Sequence, residues 1–304
     1  MRILVTDGMD QGAVAALRAD GHEVVEQFFP PEELGAALRN FDVAVVRSKT
    51  KVRKNHIDEA LGGQLKMIIR GGVGVDNIDV EYAEEKGIQV RNTPKASSRS
   101  VAELTMAHIF SCARFISVAG HTMREGKWEK KAYGKGIELA GKTIGIVGFG
   151  RIGLQVGIVA KALGMEVLAY ARTPKPELEE ALQMRYGTLE EVVTQSDFVT
   201  IHTPHLEGLP LISREMISKM KDGVVVINTS RGGNVDEEAL LEGLNSGKIF
   251  AAGLDVYAEE PTKNHPLYTH PRVSCTPHIG GATVEAQQRI GSEVVEIIRK
   301  FAKG

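Results

Sequence analysis

Two cysteines in 304 residues, Cys112 and Cys275, leave no disulfide framework and no Cys-x-x-Cys site, and they point to a reduced, cytoplasmic protein. Metal-ligand spacings are missing, so no metal is expected. Charge of one sign is missing too: Lys+Arg 37 against Asp+Glu 39 gives a net charge of -2. That balance provides no broad attraction to nucleic acid or to an anionic membrane, so any anion must be held by a local cluster. No apolar run approaches the roughly 18 residues a membrane span needs. The opening run, Met1 to Val5, is too short for a secretory signal core and leads into an acidic turn at Asp7. Aromatics are only 5%, whereas glycine reaches 33 residues against 11 prolines, a balance that suits an α/β protein with many tight strand-to-helix turns. At 42% hydrophobic and 25% charged the chain is not disordered.

Short apolar runs alternate with helical periods from end to end, the pattern of parallel sheets with crossover helices. Strands are predicted at Arg2–Thr6, Val24–Val25, Asp42–Val46, Lys66–Arg70 and Ile88–Val90, with helices at Asp10–Ala19, Pro31–Arg39, Lys54–Leu61 and Asp79–Lys86. A much longer helix is expected over Ser97–Arg124, with Ser100 and Glu103 as a capping box. A second series of strands follows at Thr143–Val147, Glu166–Tyr170, Phe198–His202, Val224–Asn228, Ala251–Leu254 and Val273–Cys275, and the last helix at Ala282–Phe301 has no strand after it. The expectation is therefore two doubly wound parallel-sheet domains. Residues 1–95 and 281–304 form one domain, to which the last helix returns, and residues 96–280 form the other.

Gly148-Phe149-Gly150-Arg151-Ile152-Gly153 follows a strand and opens a helix, the context that makes G-x-G-x-x-G a Rossmann fingerprint. The first glycine makes the turn, the second admits a pyrophosphate, and the third packs helix on strand. An NAD site normally ends the next strand with an Asp or Glu for the ribose 2′-OH. Ala171 stands here instead, followed by Arg172 and, close by, Lys175. Without the carboxylate a 2′-phosphate is not repelled, and Arg172 attracts it. The reading leans to NADP(H) over NAD(H); the alternative is that Arg172 stacks on the adenine.

Three further strand ends carry polar groups: Asn228-Thr229-Ser230-Arg231-Gly232-Gly233, Leu254-Asp255 running on to Glu259-Glu260-Pro261, and Thr276-Pro277-His278-Ile279-Gly280-Gly281. An Arg offers a planar fork for a carboxylate, and a His beside a carboxylate suits carbonyl and hydroxyl chemistry. Each alone also has a bland reading as a surface Arg, a solvated Glu or a capping His. Taken with Arg70-Gly71-Gly72-Val73-Gly74-Val75-Asp76-Asn77, Val90-Arg91-Asn92-Thr93-Pro94 and Gly126-Lys127-Trp128, these motifs resemble the D-2-hydroxyacid dehydrogenase family over essentially the whole chain.

The resemblance implies Arg231 as binder of the substrate carboxylate, His278 as acid/base and Glu260 as its partner. It distributes the dinucleotide over the fingerprint, Ala171, Arg172, Thr203, Pro204, Thr229, Ser230, Asp255, His278 and Gly280. Substrate is expected on Gly71, Gly72 and Val73 as well, so that residues 1–95 and 281–304 are the substrate-binding domain, residues 96–280 the dinucleotide-binding one, and the active site is expected in the cleft between them. It also implies a homodimer through the nucleotide-binding domain, near the long helix. Within the family the motifs lean to the phosphoglycerate branch and serine biosynthesis, with glyoxylate/hydroxypyruvate reduction as the alternative. A cofactor-sensing, corepressor-like binding protein is the rival of another class. A phosphate would need more cations than Arg231, and Arg47, Arg70, Lys130 and Lys131 are the candidates by position. With the last helix ending the chain at Gly304, control through a C-terminal regulatory module is not expected.

Overall fold

The computed structural model describes every residue except Leu206, Glu207, Leu209, Asn264 and Gly304. Gly304, the end of the domain reading above, thus lies outside the described residues. The chain divides into two compact units: Met1–Ser98 with the segment from Gly281 onward, and Arg99–Gly280.

The first unit alternates β1 (Arg2–Val5), α1 (Gln11–Ala19), β2 (Glu23–Glu26), α2 (Pro31–Leu38), β3 (Val43–Val46), α3 (Lys54–Ala60), β4 (Met67–Arg70), α4 (Val80–Glu85) and β5 (Gln89–Asn92). Its five strands are all parallel in the order β2-β1-β3-β4-β5. Parallel strands put the loops following β1, β3 and β4 at one edge of the sheet, and the order reverses between β1 and β3, which opens a crevice at that point.

The second unit contains α5 (Ser98–Arg114), α6 (Ile116–Arg124), β6 (Thr143–Val147), α7 (Arg151–Ala162), β7 (Glu166–Tyr170), α8 (Pro176–Leu182), β8 (Arg185–Tyr186), α9 (Leu189–Gln195), β9 (Phe198–Ile201), α10 (Arg214–Lys219), β10 (Val224–Asn228), α11 (Glu237–Ser246), β11 (Ile249–Leu254), α12 (Pro266–Thr269) and β12 (Val273–Cys275). Seven parallel strands run in the order β12-β11-β10-β9-β6-β7-β8. Counted from β6, this is the doubly wound dinucleotide-binding order with one strand added, and its switch point falls between β6 and β9. Every residue of β9 and β10 is buried, as in a sheet covered on both faces. The last helix, α13 (Val284–Lys303), belongs to the first unit, where Ile290, Val294, Val295 and Ile298 join the core with Val14 and Leu17 of α1.

Strand boundaries mostly fall within a residue or two of expectation, and the two doubly wound parallel sheets are present. Two expectations are corrected, and one element is new. The long helix is two helices, α5 and α6, bent by 70° at a break where Phe115 takes the left-handed conformation (φ 56°). Its ring packs toward Tyr133 and Phe250, a tertiary cause with no glycine or proline to announce it. Ser100 does not cap, because the helix already starts at Ser98; Glu103 pairs with Arg99 at 3.3 Å one turn back. The two-residue strand β8 was not foreseen. Among the described residues no single helix is long and apolar enough to cross a membrane, and α5 with α6 reaches that length only as the bent pair.

Candidate active site

Because all seven strands of the second unit are parallel, the loops after β6, β7, β9, β10, β11 and β12 meet at the sheet's carboxyl edge. There the glycine fingerprint has the geometry its spacing predicts. Gly148 has φ +98°, and a Cβ on it would lie 2.8 Å from the His202 carbonyl carbon. A Cβ on Gly153 would lie 2.6 Å from the Gly148 carbonyl oxygen, so helix and turn are in contact. Gly150 faces open space and caps α7 without a side-chain hydrogen bond. Arg151 and Ile152 form the first helical turn, which keeps its backbone N–H groups for an outside acceptor. An open approach onto the bare start of a 12-residue helix fits a dinucleotide pyrophosphate. Gly150→Ala should therefore leave the melting temperature unchanged while weakening dinucleotide affinity by about tenfold, measured by titration.

At the end of β7, Ala171 packs partly into the core, and the exposed Arg172 has no ion pair among the described residues. Thr203 accepts hydrogen bonds from Asn234 Nδ2 at both its carbonyl (3.0 Å) and hydroxyl (3.3 Å) oxygens, and Pro204 follows it exposed. The hydroxyls of Thr229 and Ser230 are engaged internally. Thr229 meets Thr105 of α5 at 2.8 Å; Ser230 donates to Asn228 Oδ1 at 2.8 Å and accepts from Asn234 at 3.0 Å. Asp255, 1% exposed, accepts from Thr276 Oγ1 (2.6 Å) and from the backbone N–H groups of Ile279 and Gly280 (2.8 Å each). Asn228 and Asn234 are braces that sequence reasoning missed; only Asn228, at the end of β10, stood in a strand-end motif.

His278 and Glu260 come together: Nδ1 and Oε2 are 2.6 Å apart. The other Glu260 oxygen accepts from the Tyr257 N–H at 3.0 Å. Burial pushes the Glu260 carboxyl up, but the His278 hydrogen bond and charge, the Tyr257 N–H and the Arg231 charge outweigh it and hold the group below the usual carboxylate range. Arg231 thus stands close enough to act on Glu260, and its guanidinium donates to the Ser230 carbonyl at 2.6 Å. His278 itself has φ 53°, a conformation a β-substituted residue holds only when its surroundings dictate it. Gly232 is pressed onto the Tyr257–Ala258 peptide, so a Cβ there would occupy the same space as the Tyr257 carbonyl.

In the first unit, Asp7 fixes the Arg47 loop by accepting from the backbone N–H of Arg47 (2.7 Å) and from Thr50 N–H (3.0 Å) and hydroxyl (2.7 Å). Asn77 donates to the Arg47 and Thr50 carbonyls, each at 2.7 Å. The Arg47 guanidinium has no hydrogen bond or ion pair among the described residues. Arg70 differs: its guanidinium folds over Gly72, where a Cβ would displace it, and donates to the Gly71 carbonyl at 3.3 Å. Val73, 38% exposed, follows on the same turn. Lys130 and Lys131 lie in an exposed turn after α6, with no salt bridge among the described residues.

A doubly wound sheet with a glycine-lined helix start and a His–Glu pair at its carboxyl edge defines a nucleotide-dependent dehydrogenase. The model of the D-isomer specific 2-hydroxyacid dehydrogenase NAD-binding domain matches residues 106–280. The chain is 47% identical to the hydroxypyruvate reductase of Thermotoga maritima, over 98% of this chain and 97% of that one. It is 45% identical to the D-3-phosphoglycerate dehydrogenase of Methanocaldococcus jannaschii, over 100% of this chain but only 58% of that one. The crystal structure of the TT0316 protein of Thermus thermophilus superposes with a TM-score of 0.88 at 38% identity, covering 97% of this chain and 95% of that chain. The chain belongs to the D-2-hydroxyacid dehydrogenase family and is an NAD(P)-dependent oxidoreductase acting on a D-2-hydroxy acid.

Proposed function

We propose that the enzyme reduces a short, unphosphorylated 2-oxo acid of the hydroxypyruvate or glyoxylate type to its 2-hydroxy acid, with NADPH preferred over NADH. The observation that carries the substrate reading is the end-to-end match to a hydroxypyruvate reductase. Arg70 supports it, since its guanidinium is taken up by the Gly71–Gly72 turn. The second reading is 3-phosphohydroxypyruvate, favoured by the unpaired Arg47 and by the likeness to D-3-phosphoglycerate dehydrogenase.

In reduction, the Arg231 fork holds the substrate carboxylate and His278 protonates the carbonyl oxygen. Glu260 accepts from Nδ1–H, which orients the ring and leaves Nε2 for the proton transfer. A dinucleotide held at the glycine turn supplies the hydride. Exposed Arg172 beside Ala171 favours a 2′-phosphate. The reverse reaction has His278 take the hydroxyl proton. We assign the second unit to dinucleotide binding and the first to the substrate. A homodimer is also proposed, through α5 and α6: Phe110, Ile116 and Met123 are exposed on them, Trp128 is exposed just after α6, and α6 buries none of its residues.

One panel tests these readings: kcat/KM for hydroxypyruvate, glyoxylate and 3-phosphohydroxypyruvate, each with NADPH and NADH. Hydroxypyruvate or glyoxylate with NADPH should be fastest. Arg172→Ala should weaken NADPH about tenfold and leave NADH unchanged, the loss of one charge-assisted contact. A wild type that prefers 3-phosphohydroxypyruvate, and loses that preference in Arg47→Ala, would establish the second reading instead.

A further inference from the structure

His108 is a buried imidazole that the proposed proton transfer does not use. It lies on α5, 2% exposed, with Nδ1 3.0 Å from Ser274 Oγ and Nε2 3.0 Å from Thr276 Oγ1. The Thr276 hydroxyl gives its proton to Asp255 Oδ1, so it must accept from His108, and Nε2 carries the hydrogen. Burial pushes His108 below its ordinary pKa against the pull of Asp255, which keeps the ring neutral and leaves Nδ1 to accept from Ser274. The donors then run one way, Ser274 to His108 to Thr276 to Asp255. Asp255 in turn grips the N–H groups of Ile279 and Gly280, the two residues after His278.

Space for the ring is provided by Gly253 of β11, where a Cβ would lie 2.7 Å from the His108 Cβ. Two other residues of the same α5 stripe reach the same edge. Val101 lies beside Gly280, 3.2 Å from where a Cβ there would sit, and Thr105 bonds Thr229, two residues before Arg231. The spacing 101, 105, 108 places all three on one helix face.

We propose that His108 is a positioning residue: through Thr276 and Asp255 it holds the turn that keeps His278 in its left-handed conformation. This rests on the reading of His278 as the proton-transfer residue, so the test has an arm that does not. In His108→Leu, kcat should fall about tenfold, the scale of a small misplacement of a catalytic group, with KM and NADPH affinity within about twofold. Amide hydrogen exchange at Ile279 and Gly280 should quicken. His108→Gln, whose Nε2 can donate to Thr276, should restore most of both; a purely space-filling role would not be rescued this way. Thr276→Val against Thr276→Ser repeats the comparison should His108→Leu fail to fold. Unchanged kcat, unchanged exchange, or no rescue by Gln would overturn the proposal. A His278→Ala control with wild-type turnover would instead remove the His278 reading, while the exchange arm still decides whether His108 holds the turn.

Discussion

His278→Ala is expected to lower kcat by about 10²- to 10⁴-fold, the range for losing a positioned general acid, while dinucleotide affinity stays within about twofold. The separation follows from the fold. The glycine turn and the start of α7 lie after β6, and His278 lies after β12 at the far side of the sheet order. Glu260→Gln should be milder, because the amide oxygen still accepts from Nδ1 and only the charge is lost. The same variant has a pH signature. The Glu260 carboxyl is held below its ordinary range, so its pairing stabilises the fold above the unfolded value and is lost as pH falls through the folded one. The difference in melting temperature between wild type and Glu260→Gln should therefore be present at neutral pH and shrink in acid. Wild-type turnover by His278→Ala would remove that residue from the chemistry.

Gly232→Ala is expected to damage stability and catalysis together. A methyl group has no space between the Arg231 loop and the Tyr257–Ala258 peptide, so the two loops must separate. Overpacking of this kind costs about 1–3 kcal/mol, or a fall in melting temperature of about 2–5 °C for a protein of this size. Separation also moves Arg231 away from Glu260, whose N–H contact is to Tyr257 on the displaced strand of chain. We expect kcat/KM to drop by at least about 10²-fold, as a 1 Å misplacement can produce. Calorimetry and steady-state kinetics on one preparation check both. The contrast with Gly150→Ala, which meets nothing within 4 Å, separates a glycine needed by the fold from one needed by a ligand.

Much of this molecule was legible because parallel sheets write their strands as short apolar runs and their sites as the residues just after them. Thr143–Val147, Glu166–Tyr170, Val224–Asn228 and Val273–Cys275 have the bounds the sequence suggested. The loops bearing Arg231, Glu260 and His278 were visible as polar strand ends, and Glu260 and His278 do meet. What escaped has non-local causes. The bend at Phe115 comes from ring packing with Tyr133 and Phe250, distant in sequence or without a breaker residue. The two residues of β8 are too few to show a period. That the Arg70 guanidinium folds over Gly72 is visible only in the three-dimensional turn. Nothing in the sequence singles out His108, since its partners Ser274 and Thr276 lie more than 160 positions away.

The loop after β3 is fastened by its main chain. Asp7 takes the N–H of Arg47 and Asn77 gives to its carbonyl, while the Arg47 side chain contributes to neither bond. The loop's shape is therefore indifferent to which side chain is mounted at position 47. On the proposed reading that Arg47 meets the substrate, such a socket would let substrate range drift by single replacements there, between a cation that suits an anionic tail and a neutral group that does not, with no repacking beneath. Divergence of preference within one scaffold then requires very few mutational steps.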